Sequence, residues 1–132
     1  MVSSILRSLA VLAFCLVSIP AGAAMIDGVW QSPKDEDGSF LTVRVHPCER
    51  AGEDRCAVVT GAHHGAKKEA VGHQVMRVEP KSDGSWEGEI IQPLSGDVYD
   101  SNIRLVRHDL LHVDGCVLGG LFCRTQEWKR FD

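Results

Sequence analysis

The chain has 132 residues, 14 Lys and Arg against 18 Asp and Glu, and a formal net charge of −4. That acidic balance, with no basic stripe, excludes phosphate-neutralising nucleic-acid binding. The length allows one domain and not two.

The first segment has the form of a cleavable secretory signal peptide. Arg7 supplies an unopposed positive charge, and an apolar run follows from Leu9 to Ile19. That run matches a signal h-region and is too short to span a bilayer. Pro20 breaks it, and Ala21-Gly22-Ala23-Ala24 offers small residues for cleavage after Ala23 or Ala24. An uncut anchor helix is the disfavoured alternative. A lipid-attachment site at Cys15 is rejected, because Phe14 is bulky and Cys15 lies inside the apolar run. The expected boundaries are a signal peptide over 1–23 and a single domain over 24–132, periplasmic or secreted. No later segment is apolar enough to cross a membrane.

The exported chain would be about 108 residues, a size at which a hydrophobic core alone is marginal. Four cysteines remain in it: Cys48, Cys56, Cys116 and Cys123. An even count in a small exported domain reads as two disulfides. Three connectivities are open, and the local pairs Cys48–Cys56 and Cys116–Cys123 are favoured because each brackets a short turn-containing stretch. Loops that short contribute about 2–3 kcal/mol each in the chain-entropy model. A four-thiolate zinc site is the weaker reading, since no C-x-x-C spacing occurs.

No stretch has helical periodicity. Short runs alternate between apolar and polar residues and are punctuated by turn residues. A first strand is expected over Asp27–Gln31. The next spans Phe40–His46, with Leu41, Val43 and Val45 on one face. Further strands are expected over Cys56–Thr60, Gly72–Glu79 and Ser85–Ile91, the last with Trp86, Gly88 and Ile90 facing one way and Glu87 and Glu89 the other. Val98–Val106 groups Tyr99, Ser101, Ile103 and Leu105. Leu110–Val117 turns Leu111, Val113 and Val117 inward, and Leu121–Arg130 closes the chain. Ala62–Ala70 reads as a loop or a single helical turn. About eight strands, each with one apolar face, predict a small all-β antiparallel barrel of the kind that holds one small ligand.

Three motifs then occur in order. They are Gly28-x-Trp30, Gly84-x-Trp86-x-Gly88-x-Ile90 leading to Ser95-Gly96-x-x-Tyr99, and Leu111-x-Val113-x-Gly115-Cys116 leading to Cys123-Arg124-x-Gln126-x-Trp128-x-Arg130. Together they resemble the bacterial domain-of-unknown-function 2147 family over nearly all of the exported chain. The resemblance implies a periplasmic or secreted protein of Gram-negative bacteria with a lipocalin-like or calycin-like barrel. It implies no established activity. The chain departs from the family between Thr60 and Gly72, where a short His- and Lys-bearing segment replaces an Asp- and Asn-Pro-containing connector. Calycin barrels commonly stack a cation from the last strand on the first-strand indole. Trp30 and Arg130 are the matching pair, with Arg124 as substitute, and their expected role is structural.

Chemistry-bearing constellations are weak. His63, His64 and His73 lie near one another, yet no H-E-x-x-H or H-x-H pattern exists, and adjacent histidines on an extended chain point apart. Solvated loop histidines are the favoured reading. No G-x-S-x-G nucleophile motif is present, and Glu87 and Glu89 read as a solvated sheet surface. The apolar loop from Cys116 to Phe122 is a candidate gate or contact surface.

The expected function is therefore that of an exported barrel, not an enzyme and without a cofactor, binding a small apolar molecule. Its pocket candidates are Val43, Trp86, Ile90, Tyr99, Ile103, Leu111 and Val113. The alternative is a structural module that contacts an envelope protein and holds no ligand. A histidine-based metal protein or enzyme ranks third.

Overall fold

Period-two alternation and closely spaced turns have produced a closed meander. In the computed structural model, residues 25–132 are described, with Ala13 ahead of them. Apart from Ala13, the proposed signal peptide and its cleavage site lie outside these residues. The strands are β1 (Gly28–Gln31), β2 (Phe40–Pro47), β3 (Arg55–His63), β4 (Gln74–Pro80), β5 (Trp86–Ile91), β6 (Val98–Arg107), β7 (Leu110–Val117) and β8 (Phe122–Arg130). Each pairs antiparallel with the next, and β8 returns to β1 through Trp30↔Arg130 and Gln31↔Lys129. Closure leaves no open sheet edge.

Strand ends shift by a residue or two from the sequence reading, and two segments differ more. β3 runs beyond Thr60 to His63, because a bulge between Thr42 and Val43 lets β2 keep pairing with it as far as Phe40↔His63. The uncertain stretch that follows contains one short 3-10 turn, Lys68–Ala70, whose Ala70 is buried. The expectation that His63 and His64 point apart is also corrected. His64 leaves the extended region at φ 54°, so both rings come to Phe40, with centroids 4.8 and 5.6 Å away.

Both local disulfides form. Cys48–Cys56 closes the β2–β3 connection, and Cys116–Cys123 ties directly opposed residues of β7 and β8. The short connections carry their own polar closures. In the β4–β5 turn, the Ser85 hydroxyl and N–H donate to Asp83 Oδ1 at 2.6 and 2.9 Å. These bonds, the hydroxyl's foremost, hold the Asp83 carboxyl below its ordinary value of 3.8. A depressed carboxyl contributes stability above its unfolded value and loses it as pH falls through the folded one. The stability gap between the wild type and Asp83→Asn is therefore expected to be full above pH about 4 and to shrink below it, as read by melting curves across acid pH.

The barrel has a packed end and an open end. At the packed end, Arg130 lies over the Trp30 indole, 4.2 Å from the ring. It donates to the backbone oxygens of Met25, Asp27 and His108. Trp30 is fully buried, and its indole N–H donates to Ile26 O at 2.9 Å. Arg130 thus lies where the resemblance places a cation, over the Trp30 indole. Arg55 reinforces the same end through Asp27 at 2.7 Å and by lying against Trp86. Met76, Ile103, Leu111 and Val113 fill the interior there.

Candidate functional site

Because the meander alternates direction, the β1–β2, β3–β4, β5–β6 and β7–β8 connections all gather at the other end. Beneath them the lumen opens into a cavity of about 860 Å³. That volume falls inside the range of about 300–1,000 Å³ typical of small-molecule sites.

Its wall mixes apolar and polar surface, the apolar share being somewhat larger. On one side stand Leu41 and Val43 of β2 with Val75 of β4; on the other stand Ile90 of β5, Tyr99 of β6 and Trp128 of β8. Glycine creates part of the space. Gly115 on β7 has no side chain, and a Cβ there would meet Ile90 Cδ1 at 3.1 Å. Polar groups include Ser32 and Asp35 from the β1–β2 connection, Gln92 from the β5–β6 connection, and Arg124 and Gln126.

The last strand supplies a ladder of side chains. Phe122, Arg124, Gln126 and Trp128 all line the cavity, descending from the mouth at spacing two. Trp128 Nε1 donates to Gln126 Oε1 at 3.0 Å, which orients the amide. Sequence reading missed Arg124 and Gln126 as cavity residues. The signal was present in the alternation of β8, but a polar pair on a strand face reads as solvent-facing. Beside the cavity, the buried Ser101 hydroxyl has no hydrogen-bond partner among the described residues.

Of the seven residues expected to form the pocket, Val43, Ile90 and Tyr99 stand in the cavity wall. Trp86, Ile103, Leu111 and Val113 share the inward face but lie in the packed core. The rim carries the apolar loop. Leu118 and Leu121 are each 73% exposed and Phe122 61%. Val117, expected inward, lies at this rim, half-exposed and lining the mouth.

The histidines do not assemble into a metal site. No group of three His, Cys, Asp or Glu side chains among the described residues is placed to hold a metal ion. His63 instead stacks on Phe40, and its Nε2 lies 3.1 Å from Thr42 Oγ1. His73 is exposed in the β3–β4 connection. Glu87 and Glu89 are exposed, and Glu87 pairs with Lys81 at 2.9 Å.

A closed eight-stranded antiparallel barrel with one end packed and the other opening into a cavity is the lipocalin-like fold. The chain belongs to the family described as "Uncharacterized protein conserved in bacteria (DUF2147)", whose model matches residues 28–130. Two solved structures share the fold. Protein HP1028 from the human pathogen Helicobacter pylori, which belongs to the lipocalin family, superposes with a TM-score of 0.63 at 15% identity, over 80% of this chain and 82% of that one. A redesigned beta barrel superposes with a TM-score of 0.52 at 20% identity, over 84% of this chain and 96% of that one. No curated protein is significantly similar to the chain in sequence.

Proposed function

We propose that the protein is an exported, non-enzymatic carrier that holds a small apolar molecule in the open end of the barrel. The observation that carries this reading is the cavity of about 860 Å³. An apolar lumen with a few convergent polar groups is the usual form of a small-molecule site. Val43, Ile90 and Tyr99 are proposed to contact the ligand, joined by Trp128. Two disulfides and the absence of any membrane-crossing helix among the described residues are consistent with export.

Native mass spectrometry of the protein released from periplasm without reductant tests the reading. The expected result is a chain shortened by its signal peptide, lighter than the reduced form by the hydrogens of two disulfides, and carrying a non-covalent small-molecule adduct. A chain that stays bare, and takes up no apolar probe when offered one, overturns it.

The exposed rim favours a second reading, an interaction module that contacts an envelope protein through Leu118, Leu121 and Phe122. Co-purification of a defined envelope partner that is lost in Leu121→Ser, together with an empty barrel, would favour this reading over the carrier.

A further inference from the structure

We propose that the cavity selects a monoanionic amphipath, with Arg124 as the residue that receives its charged head. This rests on the carrier reading and adds the chemical class of the ligand.

Arg124 lines the cavity, yet its side chain makes no hydrogen bond or ion pair with any described residue. No acid among the described residues forms an ion pair with it, and the acids that line the wall or stand on β7 next to it accept from hydroxyls instead. Asp35 accepts from the Ser39 hydroxyl at 3.2 Å, and Asp114 from the Thr125 hydroxyl at 2.6 Å. Directly across from Arg124 on β7 is Gly115, which leaves the guanidinium uncovered on that side. Gln126, next on the same strand face, has its carbonyl oxygen held by Trp128. Its amide N–H donors have no partner among the described residues, so two donor groups stand together on one strand face of the cavity wall.

Physical chemistry then discriminates between ligands. An empty cavity leaves Arg124 hydrated. A ligand that fills the lumen strips that water, and a buried cation without a counter-charge is costly. An uncharged ligand offsets none of the cost of whatever water it displaces from the guanidinium. A carboxylate offsets it with charge-assisted hydrogen bonds, and arginine's planar fork matches a carboxylate in two-point geometry. Val75 stands on β4, four strands round the barrel from Arg124, and with Leu41 and Val43 it offers the apolar wall that a hydrocarbon tail requires.

The test is isothermal titration of the full protein, stripped of bound lipid, with three probes of equal chain length: dodecanoate, dodecanol and dodecyltrimethylammonium. Dodecanoate is expected to bind at least about tenfold more tightly than dodecanol, the ratio that about 1.4 kcal/mol makes. Arg124→Gln should remove that preference, weakening dodecanoate binding while easing the cost that dodecanol incurs. Arg124→Lys should keep part of it, and Arg124→Glu should turn the preference to the cationic probe. Equal binding of dodecanoate and dodecanol by the wild type, or a preference that survives in Arg124→Gln, overturns the proposal and leaves the carrier reading standing. Binding of none of the three probes overturns the carrier reading and this proposal with it. The side chain of Arg124 is exposed and unpaired, so its variants are expected to fold.

Discussion

Trp30→Ala is expected to destabilise the barrel more than any other single truncation at its packed end. The side chain is fully buried, and deleting a buried tryptophan costs about 3–5 kcal/mol in transfer and cavity terms. Two further losses follow. The Ile26 carbonyl loses the indole N–H that meets it at 2.9 Å. Arg130 loses the ring beneath it, an interaction worth about 0.5–2 kcal/mol. Arg130 is tied to three backbone oxygens on two segments, so the loss spreads to the residues ahead of β1 and to the β6–β7 turn. A domain of this size has about 5–15 kcal/mol of stability in all. At about 4 °C or more per kcal/mol, the melting temperature should fall by at least about 12 °C. Thermal unfolding followed by circular dichroism without reductant measures it. Trp30→Phe separates the contributions, since it keeps an aromatic ring under Arg130 and loses the N–H···O bond. An unchanged melting temperature in Trp30→Ala would show that the clamp does not hold the barrel shut.

The fold was legible in the sequence because it depends on local pattern, whereas the pairing of Trp30 with Arg130 came only from the family resemblance. One apolar face per strand, a turn every few residues and an even set of cysteines are all written at short range. Which strands close on each other is implied by the family resemblance, through the Gly-x-Trp at the start and Arg130 at the end. Depth along the barrel is not written there. Trp86, Ile103, Leu111 and Val113 obey the same alternation as Val43, Ile90 and Tyr99, and the alternation fixes which face a residue occupies, not its height. Height is set by strand tilt and by bulges such as those at Thr42/Val43 and Ala57/Val58. These shift the register of neighbouring strands without changing the pattern of either. The inward Arg124 and Gln126 were hidden for a related reason. Polar residues on a strand face normally meet solvent, and here the solvent they meet is inside the mouth of the barrel. The histidines show the limit of assuming an extended chain, since a single positive φ at His64 brought two rings to one side.

Gly115→Phe is expected to abolish ligand uptake while leaving the barrel folded, and Gly88→Ala is expected to do the reverse. Both glycines are strand residues, yet what a side chain would meet differs. At Gly115 the first new atom meets only Ile90 Cδ1, at 3.1 Å. That is the far end of a flexible side chain bordering open lumen, so a small shift of Ile90 admits the Cβ and the ring projects into the cavity. Phenylalanine also suits a strand better than glycine, which offsets the tight contact. Dodecanol binding should weaken by at least about tenfold, a loss of about 1.4 kcal/mol or more, with the melting temperature nearly unchanged. At Gly88 the new atom would collide with the Arg77 carbonyl oxygen and lie 2.8 Å from Val78 Cα. Those are backbone atoms of β4, held by the pairing Val78↔Gly88 itself, so neither strand can retreat without breaking its ladder. Overpacking of that kind costs about 1–3 kcal/mol, and the melting temperature should drop accordingly while the cavity chemistry is untouched. Dodecanol titration and melting curves on the same two variants read both outcomes. If Gly115→Phe binds dodecanol as the wild type does, the open end of the barrel is not where the ligand sits, whatever the stability of Gly88→Ala.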